Sequence, residues 1–301
     1  MNAVYLETMG LFGNQLIELM FAETIIKKTG KDIKLILKNK IPHLKKEYSN
    51  SINFSDFNRI YEIDNSSKID IQDIVNKLTD DTLPTLVKLK GFFQRVEYFN
   101  EYKSYFADQL LAEWNGLSIL NHENILFIHI RAGNDTLKRN QIRYFPLPHS
   151  WYEYLIRTTK KTPVFFGELN NFYGELLRMH FPKAMFITCD DSWTAFNIIK
   201  HAEHTVLSLS TFCWTAIFLS KKIKKIYFPL AGLFQTGFAR NLETECFIER
   251  SSLVDTTYFD FGDLRIKSGD SKGISEILTL DEHCFKQLST TDVDILINSL
   301  P

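Results

Sequence analysis

Between residues 125 and 228, short apolar runs alternate with longer segments of helical periodicity, and that alternation leaves few architectures open. Ile125–Ile130 is apolar at nearly every position, as a parallel strand covered on both faces must be. The pattern predicts strands at Ile125–Ile130, Pro163–Phe166, Ala184–Ile187, Thr205–Leu209 and Lys225–Phe228. Helices are expected between them at Trp151–Thr159 (Ser150 as N-cap), Phe172–His180, Ser192–His201 and Thr211–Ser220. Five strands alternating with four helices indicate a doubly wound α/β domain. Its ligand belongs outside the carboxyl ends of the strands.

The first part of the chain reads as a second α/β element. A strand at Ala3–Leu6 is followed by a glycine turn, an amphipathic helix over Gln15–Lys28 and a strand at Ile33–Leu37. Lys38–Leu83 is polar and irregular, with aromatic anchors at Phe54, Phe57 and Tyr61 and a helix expected at Ile71–Leu78. A strand is expected at Leu86–Phe93, and helical spacing runs over Tyr98–Trp114. The domain plan is therefore an N-terminal α/β domain over 1–117, a C-terminal Rossmann-like domain over 118–262, and a polar, then helical tail over 263–301. With 45% apolar residues, both domains can bury a core.

A formal net charge of −1 excludes the basic excess of a nucleic-acid-binding protein, so no nucleic-acid partner is expected. Cys189, Cys213, Cys246 and Cys284 show neither zinc nor redox spacing, which points to a reducing cytoplasm, with Cys213 a core residue. No basic leader opens the chain, and no apolar run reaches the length of a membrane span. Lys221-Lys222 and Lys224-Lys225 read either as a solvated surface or as a patch meeting anionic lipid at the inner face of a membrane.

Four segments carry chemistry. Gly10-Leu11-Phe12-Gly13-Asn14-Gln15 joins strand to helix, and its glycines let backbone approach a phosphate or sugar hydroxyl at a helix N-terminus. The same turn also occurs without a ligand. His129-Ile130-Arg131-Ala132-Gly133-Asn134-Asp135 sets Arg131 at the end of a central strand. A guanidinium there can hold phosphate oxygens in a two-pronged bond, or pair with Asp135 or Glu168. Ser208-Leu209-Ser210-Thr211 ends a strand and opens a helix, as an anion cradle or a plain N-cap. Lys90-Gly91-Phe92-Phe93-Gln94-Arg95-Val96-Glu97-Tyr98-Phe99 is an aromatic junction, core or site. Asp190-Asp191 reads as a helix cap before a metal pair, and no metal ligand set is expected.

In order and spacing, over residues 4 to about 230, these segments resemble the family 11 glycosyltransferases, the bacterial and animal α-1,2-fucosyltransferases. That family reads Gly-x-x-Gly-Asn-Gln, then Gly-Tyr/Phe-Phe-Gln with Tyr-Phe shortly after, then His-x-Arg-Arg-Gly-Asp, then Asn-Ser-Thr/Ser-Phe-Ser-Trp-Trp. Phe212-Cys213-Trp214 stands where the family has Phe-Ser-Trp. The resemblance implies a GT-B-like α/β fold, two Rossmann-type domains facing across a cleft. It implies an inverting transfer of fucose, or a related 6-deoxyhexose, from a GDP-sugar to a galactoside hydroxyl, α-1,2-linked, in O-antigen or lipopolysaccharide synthesis. The partners would be the nucleotide sugar and a glycan or lipid-linked oligosaccharide, in the cytoplasm or peripherally at the inner membrane, with no metal cofactor. The catalytic residues would be Arg131, Asn14 and Asp135. Gly13, His129, Arg131, Ser208, Ser210 and Thr211 would bind the donor, and Gln94 and Arg143 would lie on the acceptor side.

The chain also departs from the family. Ala132 replaces the second arginine, Asn134 the aspartate and Leu209 the asparagine. Arg139 or Arg143 would restore the missing charge if either is more than a loop arginine. These departures keep open a different nucleotide sugar, or a carbohydrate-binding relative with weak catalysis.

Overall fold

The computed structural model describes residues 2–65, 68–114, 116, 122–133, 144–234, 255–262, 264 and 271–299. The chain forms two compact units, one over Met1–Glu113 and one beginning at Trp114.

In the first unit, strands β1 (Ala3–Glu7), β2 (Lys34–Leu37), β3 (Arg59–Asp64) and β4 (Thr85–Lys90) form a parallel sheet in the order β2-β1-β4-β3. Helices α1 (Phe12–Thr29), α2 (Ile71–Thr79) and α3 (Lys103–Gln109) accompany it. Strand β3 lies inside the segment expected to be irregular. It is an edge strand whose residues alternate between half-buried and exposed, so Arg-Ile-Tyr-Glu-Ile-Asp lacks a clean apolar face. The helical spacing from Tyr98 resolves into two 3-10 turns, Val96–Tyr98 and Asn100–Tyr102, before the short α3. Tertiary bonds hold that shape: the Tyr98 hydroxyl accepts the Ile69 N–H at 2.8 Å, and Phe21 of α1 stacks on Phe93 at 4.4 Å.

Helix α1 corrects a second expectation. It starts at Phe12 rather than Gln15, so Gly13 and Asn14 are helical. It is also buried over most of its circumference rather than amphipathic, with Glu18, Glu23 and Thr24 inside. The carboxylates that mimic a polar face have partners: Glu23 accepts from the Tyr48 hydroxyl at 2.8 Å, and Glu18 from a backbone N–H.

In the second unit, β5 (Ile125–Ile130), β6 (Thr162–Gly167), β7 (Met185–Thr188), β8 (His204–Val206), β9 (Lys225–Leu230) and β10 (Asp255–Asp260) are parallel, and β11 (Lys286–Gln287) joins antiparallel to β10. The order β11-β10-β9-β8-β5-β6-β7 puts β5 in the sheet's interior, between β8 and β6. Counted from β5, the parallel strands run 3-2-1-4-5-6, the order of dinucleotide-binding folds, with its switch point between β5 and β8. Helices α4 (His149–Thr159), α5 (Phe172–His180), α6 (Ser192–His201) and α7 (Thr211–Phe218) fall within the expected α/β alternation, and α8 (Ser271–Leu278) and α9 (Thr290–Ser299) lie in the last segment. Pro148, not Ser150, stands at the N-cap of α4. All six residues of β5 are buried, as its apolar composition requires. Cys213 is buried in α7.

Gly167 ends β6 with φ of +120°, and a Cβ there would lie 2.4 Å from the Ile130 carbonyl oxygen. That close approach lets Glu168 donate its N–H to Ile130 and keeps the ends of β5 and β6 together. Gly167→Ala should therefore destabilise the protein by more than about 2 kcal/mol, read as a lower denaturation midpoint at unchanged slope.

Candidate functional site

At the carboxyl end of β5 the chain leaves the sheet through Arg131, and at the end of β8 it leaves through Leu207–Ser210 into α7. The strand expected to reach Leu209 stops at Val206, which frees Ser208 and Ser210 to face the neighbouring strand's exit. His129 Nδ1 lies 2.7 Å from Ser208 Oγ, and its ring packs between Phe166 and Phe212, with centroids at 5.3 and 5.7 Å. Burial, reinforced by the Arg131 charge, pushes the His129 imidazole down to about 3, so at neutral pH the ring is uncharged. His129 is thus a pin between two strand ends rather than a cation.

Arg131 brings a positive charge to this exit. Its Nη1 donates to Ser210 Oγ at 3.4 Å, and its guanidinium carbon lies 4.1 Å from the centre of the Tyr144 ring. Ser210 Oγ also accepts the Phe212 N–H at 3.2 Å and so caps α7, whose first residue is Thr211. The N-cap reading of Ser210 holds, and the same hydroxyl also meets the arginine. Asn171, at the N-cap of α5, donates to the carbonyls of Ala132 and Glu168, each at 2.9 Å, and accepts the Gly174 N–H at 3.0 Å. It ties the turn after β5 to the turn after β6. Ala132 is fully buried, so the position after Arg131 is packed interior.

Asp191 caps α6 through the Thr194 N–H at 2.7 Å and hydroxyl at 2.8 Å. Among the described residues, no three His, Cys, Asp or Glu side chains are grouped to hold a metal ion. In the lysine run, Lys224 pairs with Glu203 at 3.0 Å and Lys225 with Asp255 at 2.6 Å. No helix among the described residues is long and apolar enough to cross a membrane.

In the first unit, Asn14 and Gln94 follow the adjacent strands β1 and β4, and the Gln94 amide donates to Asn14 Oδ1 at 2.9 Å. Gly10, with φ of +67°, makes the turn. A Cβ there would sit 2.4 Å from Asn14 Nδ2, so the turn and the Asn14 side chain require a glycine. Leu11 is the N-cap of α1 and gives no side-chain cap bond. The turn is held instead by Gln15, whose amide donates to the Gly10 carbonyl at 3.2 Å, and by Glu18, whose Oε2 accepts the Met9 N–H at 2.8 Å.

Asp135 and Arg143, like Asn134 and Arg139, lie outside the described residues. The residues the structure brings together are Asn14 with Gln94, and His129 and Arg131 with Ser208, Ser210 and Thr211. Sequence reasoning missed Glu18, Asn171 and Tyr144. The signals were Glu18's place one turn after Asn14, Asn171's place as an N-cap after a strand, and an aromatic directly before Phe145-Pro146.

Glu18 is fully buried, its Oε1 has no hydrogen-bond partner, and burial pushes its carboxyl up to about 9 against the opposing effect of the Met9 N–H. The native state therefore keeps a proton that the unfolded chain has released, and stability falls as pH rises from the ordinary carboxyl value toward about 9. Glu18→Gln, which keeps an acceptor for Met9 without the titration, should match wild type near pH 4.5 and melt higher than wild type at pH 8, with the difference growing between them. Melting curves across that range test it.

No protein-family model matches the chain, and no curated protein matches it. Among solved structures, an arginine-to-lysine mutant of Arabidopsis thaliana FUT1 in complex with GDP is similar over 75% of this chain and 70% of its own, with a TM-score of 0.49 and 13% sequence identity. At that distance the likeness assigns neither a family nor a ligand.

Proposed function

We propose that this chain is an inverting glycosyltransferase that moves fucose, or a related 6-deoxyhexose, from a GDP-sugar to a hydroxyl of a galactoside or similar glycan. The observation that carries the reading is Arg131 bonded to Ser210 at the switch point between β5 and β8, where open α/β sheets bind their ligands. The family 11 motif order over residues 4 to about 230 supports the choice of donor.

In the proposed reaction an acceptor hydroxyl oxygen bonds to the anomeric carbon from the face opposite the diphosphate. The carbon–oxygen bond to the β-phosphate breaks, and its electron pair leaves on GDP. The acceptor's proton passes to a base, for which Asp135 is the candidate. Negative charge grows on the departing GDP, so the main catalytic task is electrostatic. Arg131 supplies a two-pronged cation, and Ser210, Thr211 and the first N–H groups of α7 supply oriented donors. His129 and Ser208 complete the donor side, with His129 holding Ser208 in place. Asn14 and Gln94 act on the reacting hydroxyl, with Arg143 on the acceptor side. Arginine and helix ends can meet the charge requirement, so the reaction is proposed to run without a metal. A lipid-linked acceptor in surface polysaccharide synthesis, met at the inner membrane, belongs to the same proposal.

A second reading rests on Ala132. Its buried side chain leaves one arginine in the motif, which suits a different nucleotide sugar or a binding protein with little turnover. A thermal-shift screen separates these readings. GDP should raise the melting temperature more than UDP, CMP or ADP, with the same ranking in EDTA. A preference for UDP overturns the donor, and a magnesium or manganese requirement overturns the metal-free site. Binding without release of GDP from GDP-fucose favours the non-catalytic relative.

Three substitutions at two positions probe the residues. Arg131→Ala should slow single-turnover transfer by at least about 10²–10³-fold and weaken GDP binding by less, since the bond strengthens as charge develops. Arg131→Lys should fail nearly as badly, because an ammonium lacks the planar fork. Near-normal transfer by folded Arg131→Ala overturns the assignment. Asn14→Ala should fold normally and lose transfer strongly, whereas loss only in proportion to lost folded protein would make Asn14 structural.

A further inference from the structure

Tyr144 is half-buried and its ring faces the Arg131 guanidinium at 4.1 Å, while Ser210 Oγ holds one guanidinium nitrogen at 3.4 Å. Tyr144 precedes Phe145, Pro146, Leu147 and Pro148, all buried, and these lead directly into α4. Two prolines restrict the backbone of that run, so Tyr144 sits at the end of a stiff, buried strut.

Two contacts on different parts of a planar cation do different things. A hydrogen bond to Ser210 uses an N–H edge. A ring against the face uses none, because the attraction runs between the positive charge and the ring's negative face. An arginine side chain on its own has several rotatable bonds and no fixed plane. Set over the Tyr144 ring and bonded to Ser210, it is held at two points, which restricts the plane it can adopt. Two-pronged binding of a diphosphate needs a restricted plane, since both N–H groups must meet oxygens at once. With Ala132 in place of a second motif arginine, this guanidinium has no arginine neighbour in the motif to share the load.

We infer that Tyr144 is a positioning residue for anion recognition: its ring sets the plane in which Arg131 presents its N–H groups to the diphosphate of a nucleotide. The inference rests on the nucleotide-sugar reading above and adds a residue that the motifs do not contain. It makes the ring, rather than the phenolic hydroxyl or side-chain bulk, the feature that matters.

The experiment measures GDP affinity by calorimetry on the full chain, with melting curves for each variant. Tyr144→Phe should bind GDP within about 2-fold of wild type, since the ring is kept. Tyr144→Leu, apolar and of comparable bulk, should bind about 3- to 30-fold more weakly at unchanged melting temperature. In an Arg131→Ala background, the Leu substitution should cost nothing further. Phenylalanines of increasing ring fluorination at position 144 keep shape and fold while draining the ring's negative face, so affinity should fall stepwise with fluorine number. Equal affinity in the Phe and Leu variants, a flat fluorination series, or tighter binding without the ring overturns the inference and leaves the nucleotide site standing, provided Arg131→Ala weakens binding. Unchanged GDP affinity in Arg131→Ala overturns the nucleotide reading, and the role of Tyr144 with it.

Discussion

Strand β5 is buried on both faces and paired on both edges, and the second unit is organised around that constraint. A parallel strand cannot turn back on itself, so each neighbour arrives by a crossover and all strand exits collect at one rim. Winding outward from β5 in both directions leaves a gap in the connections between β5 and β8. His129 and Arg131 leave β5 at that gap, and Ser208 and Ser210 leave β8 there. The topology itself brings together residues nearly eighty positions apart. Gly167 and Asn171 then fix the neighbouring exits: one permits close approach to the Ile130 carbonyl, the other bonds the carbonyls of two turns.

Burial also decides which groups carry charge. His129 is held neutral by its apolar surroundings and the nearby guanidinium, and Glu18 is held protonated by lack of water. Both act as hydrogen-bonding struts beneath a turn. Arg131 is a cation at the β5 exit. This cation has neighbours on two sides, Ser210 and Tyr144. In each unit a neutral buried side chain supports the turn that carries a polar one: Glu18 supports the turn before Asn14, and His129 supports Ser208.

Much of this was legible in the order of residues. The alternation of apolar runs and helical segments from residue 125 onward carries the sheet and its helices, because a strand covered on both faces and a helix against it have different periods. The motifs at Gly10–Gln15, His129–Arg131 and Ser208–Thr211 were visible as strand-to-helix junctions, so their place at carboxyl strand ends followed. The start of α1 was misread because glycine and asparagine are poor helix formers. Burial of Phe12 and Gly13 outweighs that preference. Edge strand β3 was hidden because half its surface faces water.

The order of residues therefore carries local information: which segments are strands or helices of an α/β fold, and which junctions between them are glycine or hydroxyl turns. Period and turn chemistry are properties of neighbouring residues, and neighbours are what a sequence records. Packing brings Asn14 to Gln94, lets Ser210 both cap a helix and hold Arg131, keeps Glu18 protonated, and sets Tyr144 against the guanidinium. Each of these depends on desolvation or on contact between distant segments. Both are set by how the sheets stack their strands, which no local pattern contains.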